Sequence, residues 1–576
     1  MKKYLGLFLA LVMIFSLTAC GQKGGESASA PESGEKPASS GTSNSGTAAP
    51  GSNPADIEFQ TSSDVVRETL EGPFGTYVRY TTPHTSDEAM RDPTTLSIGM
   101  ATPIESGNPH KGNTSTFYDL VFDKLIEYDL DTGELKGVIF KEYEMSPDNS
   151  YLTFTMYDNI YFHDGTHATA EDVLYTLERM TDSTLSPLAN STVFKNIDLE
   201  KSEITGDYSG KIVLINPSVT FVPGLTKCWL LCKSHIEKMG EDNAWWDNTV
   251  GTGPYKVESI VQGDRYNLVK NDNYWTGEKC TFDKVVVRYY AERATMLMDF
   301  ETGYIEMFDD CTSAEVEMIT SGQIPNAICE LYPMLNVYNV VFNEEINPVL
   351  YDENVRKAIC LAIDTATVND FSWEVLGRPA SSVVSSSLPD WKPTAYEQNI
   401  EEAKAALAAA GYKPGELQII VGAHSGVQIS RAAESIQNQL IEAGFDAKLL
   451  VHEATAYIQN MRNTGQDYYD LAIGSSMYED LNSTALLSSV SHTLGNSGMT
   501  PASDPAIDEL VKKATEATSV EEKEQIMKDI QDYLHDHYWM IPLVEPTTAV
   551  VYKDYLTGVR VLNPRMPDIM KIALVG

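Results

Sequence analysis

Apolar residues two apart open the clearest unit in the chain. Leu152, Phe154 and Met156 alternate with polar positions, as one buried face of a strand requires. Asp164-Gly165 follows as a turn dipeptide. Thr169 stands three residues before Asp172, a capping-box start that satisfies orphan amides. Glu171 and Asp172 put negative charge in the first turn, where it suits the helix dipole. Val173, Leu177 and Met180 then recur at helical spacing. The stretch 151–180 predicts strand, turn and helix.

The same two periods run through the rest. Strands are predicted at 96–101, 211–216, 282–289, 337–343 and 541–551, and the tight path of 250–257 leads into another. Helices are predicted over 352–364, with Val355, Ala358, Ile359 and Ala362 on one face, over 401–410, ended by Gly411, and over 431–443, ended by Gly444. Ser519 with Glu522 makes a second capping box ahead of Ile526, Ile530, Tyr533 and Leu534. Residues 56–95 read as a polar, irregular lead-in. Strands alternating with helices predict an α/β protein, and 576 residues at 42% hydrophobic content predict two or three domains.

The first residues change the picture. Lys2 and Lys3 precede an apolar run from Leu5 to Leu17, too short for an ordinary membrane span and typical of a signal peptide. Leu17-Thr18-Ala19-Cys20 resembles the bacterial lipobox, which implies cleavage after residue 19 and lipidation of Cys20. Two or more acyl chains make a stable anchor. Residues 21–55 carry no aromatic residue and no Ile, Leu, Val or Met. Such a segment cannot offset its ordering entropy, so 20–56 is predicted to be a flexible, lipid-anchored linker spanning about 30–35 Å. The mature protein is expected outside the cytoplasmic membrane, held on its outer face.

Charge excludes some partners. The formal net charge of −40 argues against nucleic acid and anionic headgroups. Cys228, Cys232, Cys280, Cys311, Cys329 and Cys360 form no CxxC pair, so disulfides and small buried hydrophobes are equally good readings. His163, Asp164 and His167 crowd one turn, but two histidines there are a weak ligand set, and no metal or cofactor is expected. The glycines of Val250-Gly251-Thr252-Gly253-Pro254 are followed by neither Lys-Ser/Thr nor a helix, so they do not read as a phosphate cradle. There is no GxSxG and no HExxH, which leaves a secreted hydrolase as a remote alternative.

In order along the chain come YFHDGTHATAEDVLYTLERM, VGTGPYKV, NDNYW, VVFNEE, DENVRKAICLAID, EEAKAALAAAGY and a last amphipathic helix followed by IPLV. The series resembles the family 5 extracellular solute-binding proteins of bacterial ABC importers, the oligopeptide- and dipeptide-binding group, over residues 95–576. The resemblance implies a periplasmic-binding-protein-like fold of type II, in its large class with an extra subdomain, and a ligand cleft between two lobes. Lobe I would comprise 92–128, 249–335 and 541–576. The extra subdomain would be 129–248, and lobe II 336–540. Such a protein binds a peptide, closes by hinge motion, docks as a monomer on an ABC permease and is not an enzyme.

The resemblance also implies site residues. In peptide-binding relatives an acid nine residues after an aspartate pairs with the ligand ammonium; counted from Asp470, that acid is Glu479, with Asp480 next to it. Ser475 and Ser476 stand where the family commonly has Gly-Trp, Ile473 where some members have arginine, and Leu188 where some have tyrosine. Pro103, Ile104 and Glu105 would pair with the peptide backbone by β-augmentation. Tyr338, for stacking, and Asn339, for hydrogen bonding, lie on the lobe II strand that faces the cleft, and alternation would put only one of them inward. The departures keep a second cargo class open: a metal chelate, an opine-like compound or a sugar oligomer. Peptide-signal sensing is a further alternative.

Overall fold

A single long strand, Met540–Lys553, organises the computed structural model, and all of its residues are buried. The structure describes residue 59 and residues 61–72, 75–85, 92–104, 106–111, 116–129, 131–191, 193–309, 311–461, 467–478, 483–490, 504–561 and 568–575. Running back along the long strand are Ala327–Pro333, with Pro333 opposite Thr547, and Asn336–Phe342, with Tyr338 opposite Val544. Together they form a two-strand ribbon that passes from one half of a fourteen-stranded sheet to the other.

On one half the ribbon is flanked by Met307–Phe308, then Thr95–Met100, Lys284–Tyr289, Arg265–Lys270 and Tyr255–Val261. On the other it is flanked by Leu471–Met477, Gln418–His424 and Asp446–His452. Each half is covered on both faces. Leu96, Ile98, Val285 and Val287 face one core of the first half, and Cys329, Leu331, Ala549 and Val551 face another. In the second half Val340, Phe342 and Ile473 face one core, and Val337, Val341 and Ala472 the opposite one, the alternation a strand imposes. A third body has its own four-stranded sheet, ordered Phe140–Met145, Tyr151–Met156, Ser209–Leu214, Ile197–Gly206, and its own core. Among the described residues no helix is long and apolar enough to cross a membrane.

The stretch 151–180 folds as its pattern predicts. Tyr151–Met156 is a strand that buries Leu152, Phe154 and Met156, and Ala170–Thr181 is a helix that buries Val173, Leu177 and Met180. The Thr169 amide donates to Asp172 Oδ2 at 2.9 Å. Asp352 caps the helix Glu353–Ala362, Gly411 and Gly444 take the left-handed conformation after their helices, and Ser519 accepts from the Glu522 amide at 3.1 Å. The helix predicted at 431–443 begins earlier, at Val427.

The described part of 56–95 is not all irregular. Val66–Gly72 and Gly75–Thr81 form an antiparallel hairpin, and the second strand pairs with Ala327–Pro333. Its polar face lies outward, while Val78 and Tyr80 are fully buried. Among the described residues the six cysteines are free thiols, five of them buried. Burial pushes the Cys228, Cys329 and Cys360 thiols up, as expected of inert packing residues.

The family motifs act mainly as joints. His163 accepts from the Gly251 amide at 3.3 Å through Nδ1, and its Nε2 lies 3.0 Å from the Gly253 carbonyl. Burial lowers its pKa to about 4, so it joins as a neutral ring. His167 Nε2 lies 2.8 Å from the Asp158 carbonyl, and its ring stacks on Tyr161. Both histidines of the suspected trio thus have local partners. A Cβ on Gly251 would lie 2.0 Å from the Val121 carbonyl, so close backbone approach explains this glycine. From NDNYW, Tyr274 and Trp275 each donate to the buried Asp123 carboxylate at 2.8 Å.

Candidate functional site

Register locates where the two halves meet. Ile98 pairs with Met307, which pairs with Tyr552, and Phe308 pairs with Val551. The strand Thr95–Met100 therefore ends heading toward the middle of the long strand. From the other half, Ser476 pairs with Val337 and Met477 with Asn336, so Leu471–Met477 ends at the same level. In open α/β sheets ligands lie beyond the carboxyl ends of strands, which here converge on Met334–Asn336 and Glu545–Thr547. At this point Pro333 and Pro546 interrupt the ladder, because neither has an amide hydrogen, and the Met334 amide donates to the Pro546 carbonyl at 3.1 Å.

A buried carboxylate fixes the ribbon on each side of these prolines. Glu330, 0% exposed, accepts from Arg79 Nε at 2.7 Å and Nη2 at 2.6 Å, from the Tyr552 hydroxyl at 3.0 Å and from the Tyr332 hydroxyl. It joins the N-terminal hairpin to both crossing strands. Burial first, and the Glu330 charge second, hold the Tyr332 and Tyr552 hydroxyls well above the usual tyrosine range, so both remain donors. On the far side Glu545 accepts from Arg378, from the Ser386 amide at 2.6 Å and from the Ser386 hydroxyl at 3.1 Å. Charged residues inside strands carry no pattern signal, and the sequence reading passed over all of these.

The described residues expected at the site fall into two groups. Tyr338 and Ser475 are directly paired across two strands and share a face, where Tyr338 packs on Trp373 with ring centroids 4.6 Å apart. Asn339 is buried on the opposite face, with Nδ2 3.2 Å from the Val337 carbonyl and 3.4 Å from Ser476 Oγ. Its Oδ1 has no hydrogen-bond partner among the described residues. Asn336, which the sequence reading did not select, is likewise buried with Oδ1 unpartnered among the described residues. Pro103 is exposed just beyond Thr95–Met100. Ile104 is buried in the core, and its carbonyl accepts from Tyr266 at 3.3 Å. Leu188 lies in the 3₁₀ turn Pro187–Asn190 and packs on the core of the third body. Ile473 is a core residue. Glu105, Glu479, Asp480 and Cys20 lie outside the described residues.

A cavity of about 440 Å³ lies between the hairpin, the crossing strand and the segment 557–561, with Leu335 in its wall. The Leu335 carbonyl accepts from the Tyr478 amide at 2.8 Å, which ties this wall to the end of Leu471–Met477.

The family model described as bacterial extracellular solute-binding proteins, family 5 (middle), matches residues 134–496. The periplasmic murein peptide-binding protein MppA of Escherichia coli is 26% identical over 452 residues, covering 73% of this chain and 81% of that protein. Among solved structures, the periplasmic binding protein DppA of Helicobacter pylori in complex with the peptide STSA superposes with a TM-score of 0.72 at 22% identity, covering 83% of this chain and 98% of that one. The AgaA protein of Agrobacterium tumefaciens in complex with agropinic acid gives 0.70 at 21% identity, covering 84% and 99%.

Proposed function

Because the chain belongs to the bacterial extracellular solute-binding proteins of family 5, we propose that it is the lipid-anchored, extracytoplasmic receptor of an ABC importer for short peptides. Its fold is that of the two-lobed periplasmic binding proteins of type II. The observation that supports the reading is the convergence of the two strand ends on a proline-interrupted ribbon. A ribbon held by a buried carboxylate on each side of two prolines suits lobes that close on a ligand and expel water, which strengthens every polar contact inside. In this account Glu479, with Asp480 beside it, meets the ligand ammonium. On the lobe II side one face of the strand turns inward, offering Asn339 with Ser476 for hydrogen bonding or Tyr338 with Ser475 for stacking, and Pro103 with Glu105 lies on the lobe I side. Leu188 and Ile104 contribute through packing. Cys20 carries the acyl chains, 20–56 is the tether, and the closed monomer docks on the permease.

The test is calorimetry with matched peptides, one set with free amino termini and one acetylated. Glu479→Gln is expected to weaken the free-amino set by at least about tenfold more than the acetylated set, since a charge-assisted hydrogen bond contributes about 1.5–3 kcal/mol. Equal losses would remove Glu479 from the role. A non-peptide solute is the second reading, favoured by Ser475-Ser476 in place of Gly-Trp and by a structural neighbour that holds agropinic acid.

A further inference from the structure

We propose that residues 373–376 form a strap that restrains the two halves from opening, a third connection beside the two strands of the ribbon. From the reading above it takes only that the lobes close by rotation about that ribbon. The chain changes sides here within three residues. Trp373 is buried in a core of the second half, with Val340, Phe342 and Val368. Leu376 is buried in a core of the first half, with Phe308, Val316 and Ala549, and Val375 packs against the same cluster. Beyond the strap, Gly377 pairs with Pro546 and Pro379 with Val544, at the level where the prolines interrupt the ladder. An apolar side chain lodged in the facing half must leave that core, or pull its own backbone out of place, when the halves rotate apart.

Each half also holds the strap by a polar contact. From the first half Ser313 Oγ, at the start of the helix Ser313–Thr320, donates to the Trp373 carbonyl at 3.3 Å. From the second half Asn369, buried on the helix Thr365–Ser372, donates through Nδ2 to the Glu374 carbonyl at 3.2 Å. Arg431 adds an ion pair to Glu374 at 3.0 Å, but both side chains are exposed, so it contributes little. Glu374 stands between the two attachments with a φ of +55°, a conformation that glutamate rarely adopts. Such strain persists only where the surroundings impose it, and here the residues on either side are held in different cores. Gly377 leaves room for the passage, since a Cβ there would lie 2.4 Å from Asn369 Oδ1 and 2.5 Å from the Trp373 Cβ. A restraint on opening keeps more of the ligand-free protein near the closed arrangement, which raises its apparent affinity for the solute the cleft takes.

Small-angle X-ray scattering of the full mature protein without ligand tests the strap. Leu376→Ala removes its anchor in the first half. Glu374→Gly loosens its middle at a position where glycine takes the observed φ without strain, so this variant is expected to fold with an undiminished melting temperature. Both should raise the radius of gyration above that of the wild type. Ile305→Ala is the control: the residue belongs to the same core but packs over Gly99, so its loss opens a cavity and leaves the radius unchanged. A rise in both strap variants and not in the control supports the proposal. An unchanged radius in Glu374→Gly, a fall in either strap variant, or an equal rise in Ile305→Ala overturns it. No ligand is present, so a failure of the peptide reading leaves this result untouched.

Discussion

Glu330 and Arg79 offer the sharpest test of how the ribbon is held. Glu330→Gln and Arg79→Gln, made singly and together, define a double-mutant cycle. Breaking a fully buried ion pair at one end costs about 3–5 kcal/mol, whereas coupling between exposed pairs measures about 0.2–1 kcal/mol. Here one partner is 0% and the other 31% exposed, so the pair lies nearer the buried limit but is partly screened. A coupling of about 2 kcal/mol is expected. Glu330→Gln also weakens the acceptor for the Tyr332 and Tyr552 hydroxyls, which adds about 1 kcal/mol to its single-mutant loss. Urea unfolding followed by tryptophan fluorescence gives the four stabilities, provided each variant unfolds in one transition. A coupling below about 0.5 kcal/mol would place the pair among ordinary surface bridges and refute its role as a clamp.

Two further perturbations follow from buried groups. Burial pushes the Glu306 carboxyl up to about 7, so between pH 4.5 and 7 it is protonated in the native state and ionised in the unfolded one. The native state then binds more protons, and stability falls as pH rises through that window. Glu306→Gln should flatten this decline in a pH series of melting temperatures, and an unaltered slope would show that the group does not titrate there. Gly251→Ala sets a methyl 2.0 Å from the Val121 carbonyl, against backbone rather than a flexible side chain. A loss at or above about 3 kcal/mol and a melting drop of at least about 5 °C are expected, and a drop under about 1 °C would mean the joint yields freely.

Much of the framework was legible in the sequence, because period and caps are local. Leu152, Phe154 and Met156 needed only their own spacing, as did the helices ended by Gly411 and Gly444. The hairpin Val66–Thr81 was not legible, since its outer face is charged and its buried face is completed by Ala327–Pro333, some 250 residues away. Glu330 and Glu545 were missed for a related reason. A carboxylate in a strand reads as solvent-facing until its donors, scattered along the chain, are brought to it. At the candidate site, register placed Tyr338 opposite Ser475 and brought the Asn339 side chain diagonally to Ser476, a pairing that single strands cannot reveal. Resemblance alone pointed to those positions.

The measurement that bears most directly on the central claim is native mass spectrometry of the protein purified with its cargo in place. A peptide receptor should carry a series of short-peptide masses, released on denaturation and restored when the stripped protein is offered short peptides again. A single defined mass of non-peptide composition would contradict the account.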